Sequence, residues 1–235
     1  VIAQSATKNI KNTATIDDNI KKSDGGYNVE KKAAVKKQTT TTTITNSNVV
    51  IVLDVSGSMN EGKFLFWGES KLEKAKKVIG DFANQMSFEK DGTGSALSIV
   101  TFSGDSYSDT SGTEYTNVLG VTSATGNNKD TVANTPDKAE YLINKSLKKV
   151  KADGGTCISG ALTRAKEQVE VLKGKNSKNK NIVIFIGDGQ PEGDAGDIPT
   201  EAKTLKNTGA TVYAIGFTQD VSTLKNTVAS SPDKY

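Results

Sequence analysis

Three short stretches of this chain concentrate side-chain oxygens: Asp54-Val55-Ser56-Gly57-Ser58, Asp153-Gly154-Gly155-Thr156 and Gly187-Asp188-Gly189. Side chains of an extended segment alternate sides, so Asp54, Ser56 and Ser58 share one. Gly57, set between the two serines, allows the backbone to turn tightly there. One or two carboxylates joined by hydroxyls and water compose the oxygen shell of a hard divalent cation. Two carboxylates brought close without a cation would repel and raise one pKa, so the arrangement itself favours a bound ion. The rest of the inventory points the same way. There is no histidine, and Cys157 is the single cysteine. That excludes a Ser-His-Asp triad, a Cys–His pair, imidazole-ligated transition metals, a multi-cysteine zinc site and an intramolecular disulfide.

These loops need elements to hold them. Val49-Val50-Ile51-Val52-Leu53 and Ile182-Val183-Ile184-Phe185-Ile186 are continuously apolar, the pattern of strands buried on both faces of a parallel sheet. Each runs directly into one of the acidic loops. Leu97–Phe102 and Thr211–Ile215 supply further strands, with a short one over Tyr115–Val121. Ser70-x-x-Glu73 is a capping box, followed by Leu72, Ala75, Ile79, Phe82 and Met86 at helical spacing. Thr135-Pro136 opens a second helix carrying Leu142, Ile143, Leu147 and Val150. The stripe Ile158, Ala161, Leu162, Ala165, Val169 and Leu172 marks a third, predicted to stop at Gly174, and Thr200–Asn207 a fourth. Strands alternating with helices predict an α/β fold with a doubly wound, mostly parallel sheet. Ligands of such sheets sit beyond the carboxyl ends of the strands, where strand order reverses. That is where both acidic strand ends would lie.

The motifs Asp54-Val55-Ser56-Gly57-Ser58-Met59, Gly154-Gly155-Thr156 and Gly187-Asp188-Gly189-Gln190-Pro191 resemble, in order and rough spacing, the three metal loops of von Willebrand factor A domains. The resemblance covers residues 48–235 and implies a Rossmann-like fold with a metal-ion-dependent adhesion site. Ser56, Ser58 and Thr156 would be direct ligands, and Asp54 and Asp188 would bind directly or through water. The cation implied is Mg²⁺, or Mn²⁺ or Ca²⁺, with one position left for an acidic group of a partner. The family's usual chain continues with one more strand and helix, so the domain reads as truncated at its C-terminal end. Residues 1–47, rich in Lys, Thr and Asn, form a polar arm of β type. The segment Asn12–Asp18 followed by Tyr27-Asn28-Val29 looks like what precedes this domain in Gram-positive surface and pilus-tip adhesins. There the arm would be the first half of a split β-rich domain, of a kind that often carries a Lys–Asn isopeptide bond.

The function implied is non-enzymatic: a cation-dependent adhesion module, extracellular and anchored to a cell wall. Its partner would be a host matrix or surface protein, or another pilus subunit. A glycan could meet the lysine-rich turns Lys148–Lys151 and Lys173–Lys180, although helix-end solvation explains these as well. A net charge of +3, spread among acids, gives no basic face for nucleic acid, and no apolar run is long enough to cross a bilayer. An intracellular scaffold of metal-chelatase type, partnering an ATPase, would share the metal loops. A Mg²⁺-dependent phosphatase is the remaining alternative, without a phosphate-binding loop or general base to support it. Val1–Ser5 reads as either a signal-peptide tail or an arbitrary boundary. Phe64, Phe66 and Trp67, in Phe64-Leu65-Phe66-Trp67, form either an apolar ligand rim beside the cation or a small satellite core. Cys157 is expected to be a small core residue rather than a reactive thiol. Asp194 and Asp197 fit a solvated loop better than a second calcium site.

Overall fold

The computed structural model describes residues 47–62, 68–104, 116–123, 129–188, 196–217 and 222–235. The arm lies outside the described residues apart from Ser47, which begins the first strand. Five strands form one sheet: β1 (Ser47–Asp54), β2 (Ala96–Phe102), β3 (Thr116–Val118), β4 (Lys180–Gly187) and β5 (Thr211–Gly216), in the order β3-β2-β1-β4-β5. All pairs are parallel except β2 with β3. Every residue of β1 and β2 is buried, as the unbroken apolar run over residues 49–53 requires of a strand covered on both faces; β2 buries Ser98 and Thr101 as well.

Alternation along β1 divides the core in two. Val50 and Val52 join Phe102, Phe185 and residues of α3 (Ile158–Lys175) and α4 (Ile198–Lys206) on one face. The Phe102 and Phe185 rings meet there with centroids 5.1 Å apart. Val49, Ile51 and Leu53 pack on the other face against α1 (Lys71–Ala83) and the segment following α2 (Pro136–Tyr141). The described residues therefore form an α/β/α sandwich, the doubly wound class the sequence predicts.

The first helix begins as its capping box dictates, with Ser70 Oγ accepting from the Glu73 amide at 3.2 Å. Two helices depart from expectation. Beyond Tyr141 the chain widens into a π-type segment, Leu142–Ser146, and then tightens into a 3₁₀ turn, Leu147–Lys149. On an α-helix Leu142 and Leu147, five residues apart, would diverge by roughly 140°. The wider turn, closed by Leu147 N donating to Leu142 O, lets both bury. Likewise α3 does not stop at Gly174 but runs to Lys175. Asn176 ends it: its backbone amide donates to Leu172 O, and its side chain donates to Thr93 O at 2.8 Å. Leu224–Val228, a second π-type segment under β5, has no counterpart in the sequence reading.

Candidate metal centre

From β1 the chain steps to β2 on one side, and α3 later returns it to β4 on the other. Strand order thus reverses between β1 and β4, where the connecting loops part and leave a crevice. Asp54 is the last residue of β1, and Asp188 follows the last residue of β4. A Cβ added to Gly187 would stand 3.2 Å from Asp54 Oδ2, a measure of how closely the two strand ends approach.

Backbone bonds bind the third loop to the first. Asp153 N donates to Val55 O at 2.7 Å, and Gly57 N donates to Gly154 O at 2.8 Å. Gly155 in turn pairs with Gly104, beyond β2. Gly154 has φ +78°, and a Cβ there would lie 2.9 Å from Gly104 O, so both conformation and space demand glycine. These contacts bring Thr156, itself buried, to the same rim.

The side chains form a connected row. Asp54 Oδ1 accepts from Ser56 N at 2.8 Å, Ser56 Oγ lies 3.0 Å from Ser58 Oγ, and Ser58 Oγ donates to Asp188 Oδ1 at 2.8 Å. A serine carries one hydroxyl proton. Ser58 gives its proton to Asp188, and the Ser56 hydroxyl stands between Ser58 and the Asp54 carboxyl that it also supports. Four of the five expected ligands are thus joined side chain to side chain or through the Ser56 amide, while Thr156 is tied in by the backbone of its loop.

Burial governs the electrostatics. Asp54 and Asp188 are 1% and 4% exposed, an unusual setting for carboxylates. Desolvation raises the Asp54 pKa to about 6, opposed by its bonds to Ser56; repulsion from Asp188 adds a smaller push in the same direction. Burial, not the approach of the second carboxylate, is thus the larger cause. The donor set is two carboxylates and three hydroxyls, with no nitrogen or sulfur ligand, and it fits a hard divalent cation. Among the described residues no group of three or more His, Cys, Asp or Glu is gathered to hold a metal, so hydroxyls are essential to such a shell.

Lys71, the first residue of α1, is part of this centre although the sequence reading passed over it. Its Nζ donates to Asp188 Oδ2 at 2.6 Å and to Glu61 Oε2 at 2.9 Å. Desolvation lowers its pKa, but the bonds to Asp188 and Glu61 outweigh that and hold it above the usual lysine value. A signal was available. A cation in the first turn of a helix opposes the helix dipole, and calls for a carboxylate to answer it.

The remaining candidates separate cleanly. Phe64, Phe66, Trp67, Asp194 and the stretch Gly189-Gln190-Pro191 lie outside the described residues. Asp197 caps α4, accepting from Thr200 N at 3.1 Å and from Thr200 Oγ1 at 2.7 Å. Cys157 is buried beneath Gly104, with its Sγ 3.8 Å from Ser159 Oγ, as expected of a small core residue.

No curated protein matches the chain. Among solved structures, proximal thread matrix protein 1 from the mussel byssus is 23% identical with a TM-score of 0.58, over 80% of this chain and 42% of that one. A form of the same mussel protein described as having a zinc-occupied MIDAS motif is 19% identical with a TM-score of 0.60, over 82% of this chain and 43% of that one. The pilus adhesin SpaC from Lactobacillus rhamnosus GG is 17% identical with a TM-score of 0.55, over 82% of this chain and 28% of that one. These are likenesses of fold, and the chain spans less than half the length of each structure. The von Willebrand factor type A domain family model matches residues 48–235, the whole of the sandwich described above. By its sheet order, its loops and that match, the chain belongs to the von Willebrand factor type A domain family.

Proposed function

We propose that this domain is a non-enzymatic, extracellular adhesion module that binds an acidic group of a partner protein through a divalent cation. Asp54, Ser56, Ser58, Thr156 and Asp188 would hold that cation. The observation that carries the reading is the continuous row from Asp54 through Ser56 and Ser58 to Asp188, built across the sheet's switch point. Asp54, Ser56, Thr156 and Asp188 are buried and Ser58 half-buried, and the backbone bonds of Val55 and Gly57 to the third loop set their spacing before any ion arrives. A bound Mg²⁺, Mn²⁺ or Ca²⁺ would supply a positive centre with a coordination position open to a carboxylate. The mussel protein's zinc-occupied MIDAS and the description of SpaC as a pilus adhesin support this use of the fold. With SpaC among the neighbours, the context we favour is the surface or pilus of a Gram-positive bacterium, and the partner a host matrix or surface protein.

Isothermal titration of the metal-free protein with MgCl₂ and MnCl₂ tests the centre. One cation should bind per chain, and Asp54→Ala should abolish the binding. Retention on immobilised matrix proteins that EDTA reverses tests the use. Titration heats that Asp54→Ala leaves unchanged would rule the centre out.

A further inference from the structure

The contact of Lys71 with Asp188 has a consequence for how the centre is filled. Asp188 Oδ1 takes the Ser58 hydroxyl, and Oδ2 takes the Lys71 ammonium at 2.6 Å. The Asp188 side chain is 1% exposed, whereas Glu61, the other partner of Lys71, is 68% exposed. A buried carboxylate needs a compensating charge, and this ammonium is placed to give it. Lys71 has a reason to answer in kind, because its position at the first turn of α1 sets its charge against the helix dipole. Its second acceptor, Glu61, stands outside the row of proposed ligands. Glu61 is fastened to the start of α1 by its own backbone, since Lys71 N donates to Glu61 O at 3.0 Å. The ammonium therefore lies between a buried acid that a divalent cation would also seek and an exposed acid that such a cation would not need.

We propose that Lys71 is a tethered counter-cation: it neutralises Asp188 in the metal-free domain, competes with the divalent ion for that carboxylate, and passes to Glu61 when the ion binds. This inference rests on the metal centre proposed above. Asp188 keeps a countercharge in both states, while Asp54 gains one only with the ion. Without metal, Lys71 answers Asp188; with it, the ion answers Asp54 and Asp188 while Lys71 and Glu61 form a pair at the surface. Competition of this kind lowers apparent affinity by the fraction of molecules in which the carboxylate is available. A pair formed in nine molecules of ten lowers it about tenfold.

Titration calorimetry with MgCl₂ and thermal melting in EDTA, on the intact chain, test this in the wild type, Lys71→Met and Glu61→Gln. Lys71→Met should bind Mg²⁺ about tenfold more tightly while melting at a lower temperature without metal. Glu61→Gln removes an exposed group and so leaves folding intact; it should weaken Mg²⁺ binding severalfold, because the ammonium loses its alternative acceptor. Unchanged or weaker binding by Lys71→Met overturns the inference, and so does unchanged or tighter binding by Glu61→Gln, even if Lys71→Met fails to fold. Binding by Lys71→Met where the wild type binds none would support it strongly. No binding by any of the three overturns the metal centre as well, which distinguishes the two failures.

Discussion

Asp54 shows at the scale of a single residue what the proposed cation centre would cost before a cation arrives. Its carboxyl is 1% exposed and its pKa is raised from 3.8 to about 6, chiefly by burial. The folded chain thus binds a proton here more tightly than the unfolded chain does. The resulting stability is fully present below about pH 3.8 and is lost as pH rises through about 6. A shift of this size corresponds to roughly 3 kcal/mol. Asp54→Asn keeps an oxygen that can accept from Ser56 N but has no charge to desolvate. In EDTA, its melting temperature relative to wild type should therefore climb between pH 4 and pH 7, reaching roughly 5–10 °C in its favour. Added Mg²⁺ should reverse the order at pH 7, since the ion needs the carboxylate. A difference in melting temperature that stays flat across this range would show that Asp54 is charged in both states and burdens neither.

The loops that carry these residues depend on a few backbone requirements. Gly154 combines φ +78° with a Cβ position 2.9 Å from Gly104 O, and its carbonyl accepts from Gly57 N. Gly154→Ala should cost about 1–3 kcal/mol in urea unfolding, from strain and displacement together. It should also weaken Mg²⁺ binding, because both the Ser56–Ser58 loop and Thr156 hang from that connection; full affinity in a destabilised variant would mean the third loop is dispensable. Elements of this kind were readable in advance where one physical cause dominates. The unbroken apolar runs of β1 and β4, the Ser70 cap and the acids at two strand ends each express a local rule, and together they place four candidate ligands on one rim. Where two causes compete, sequence alone was less decisive. Gly174 reads as a helix stop, yet Asn176 offers bonds to Leu172 and Thr93 that carry α3 further. The π-type segment after α2 answers to burial of Leu142 and Leu147 on an already assembled sheet, a demand no local pattern states. Lys71 escaped notice because the periodicity that defines α1 treats its polar positions as equivalent.

On the scale of the whole molecule, the proposed centre would form only because the chain has folded. Its five oxygen-bearing residues come from chain positions 54–58, 156 and 188, and they converge through a sheet whose order is β3-β2-β1-β4-β5. An unfolded chain holds those groups far apart, so a cation that binds them binds the native state almost exclusively. Binding then adds RT ln(1 + [L]/Kd) to global stability, about 2.7 kcal/mol when the free ion stands at 100 times Kd. For a domain of this length that raises the melting temperature by roughly 5–10 °C. The increment should rise with the logarithm of Mg²⁺ concentration, as linkage requires, rather than saturate at stoichiometric ion. Asp188→Ala should abolish it while Asp197→Ala, which removes only a helix cap, should keep it at a lower baseline. Equal gains in Asp188→Ala and wild type would mean that Mg²⁺ acts on the surface of the protein and not at the junction of β1 and β4.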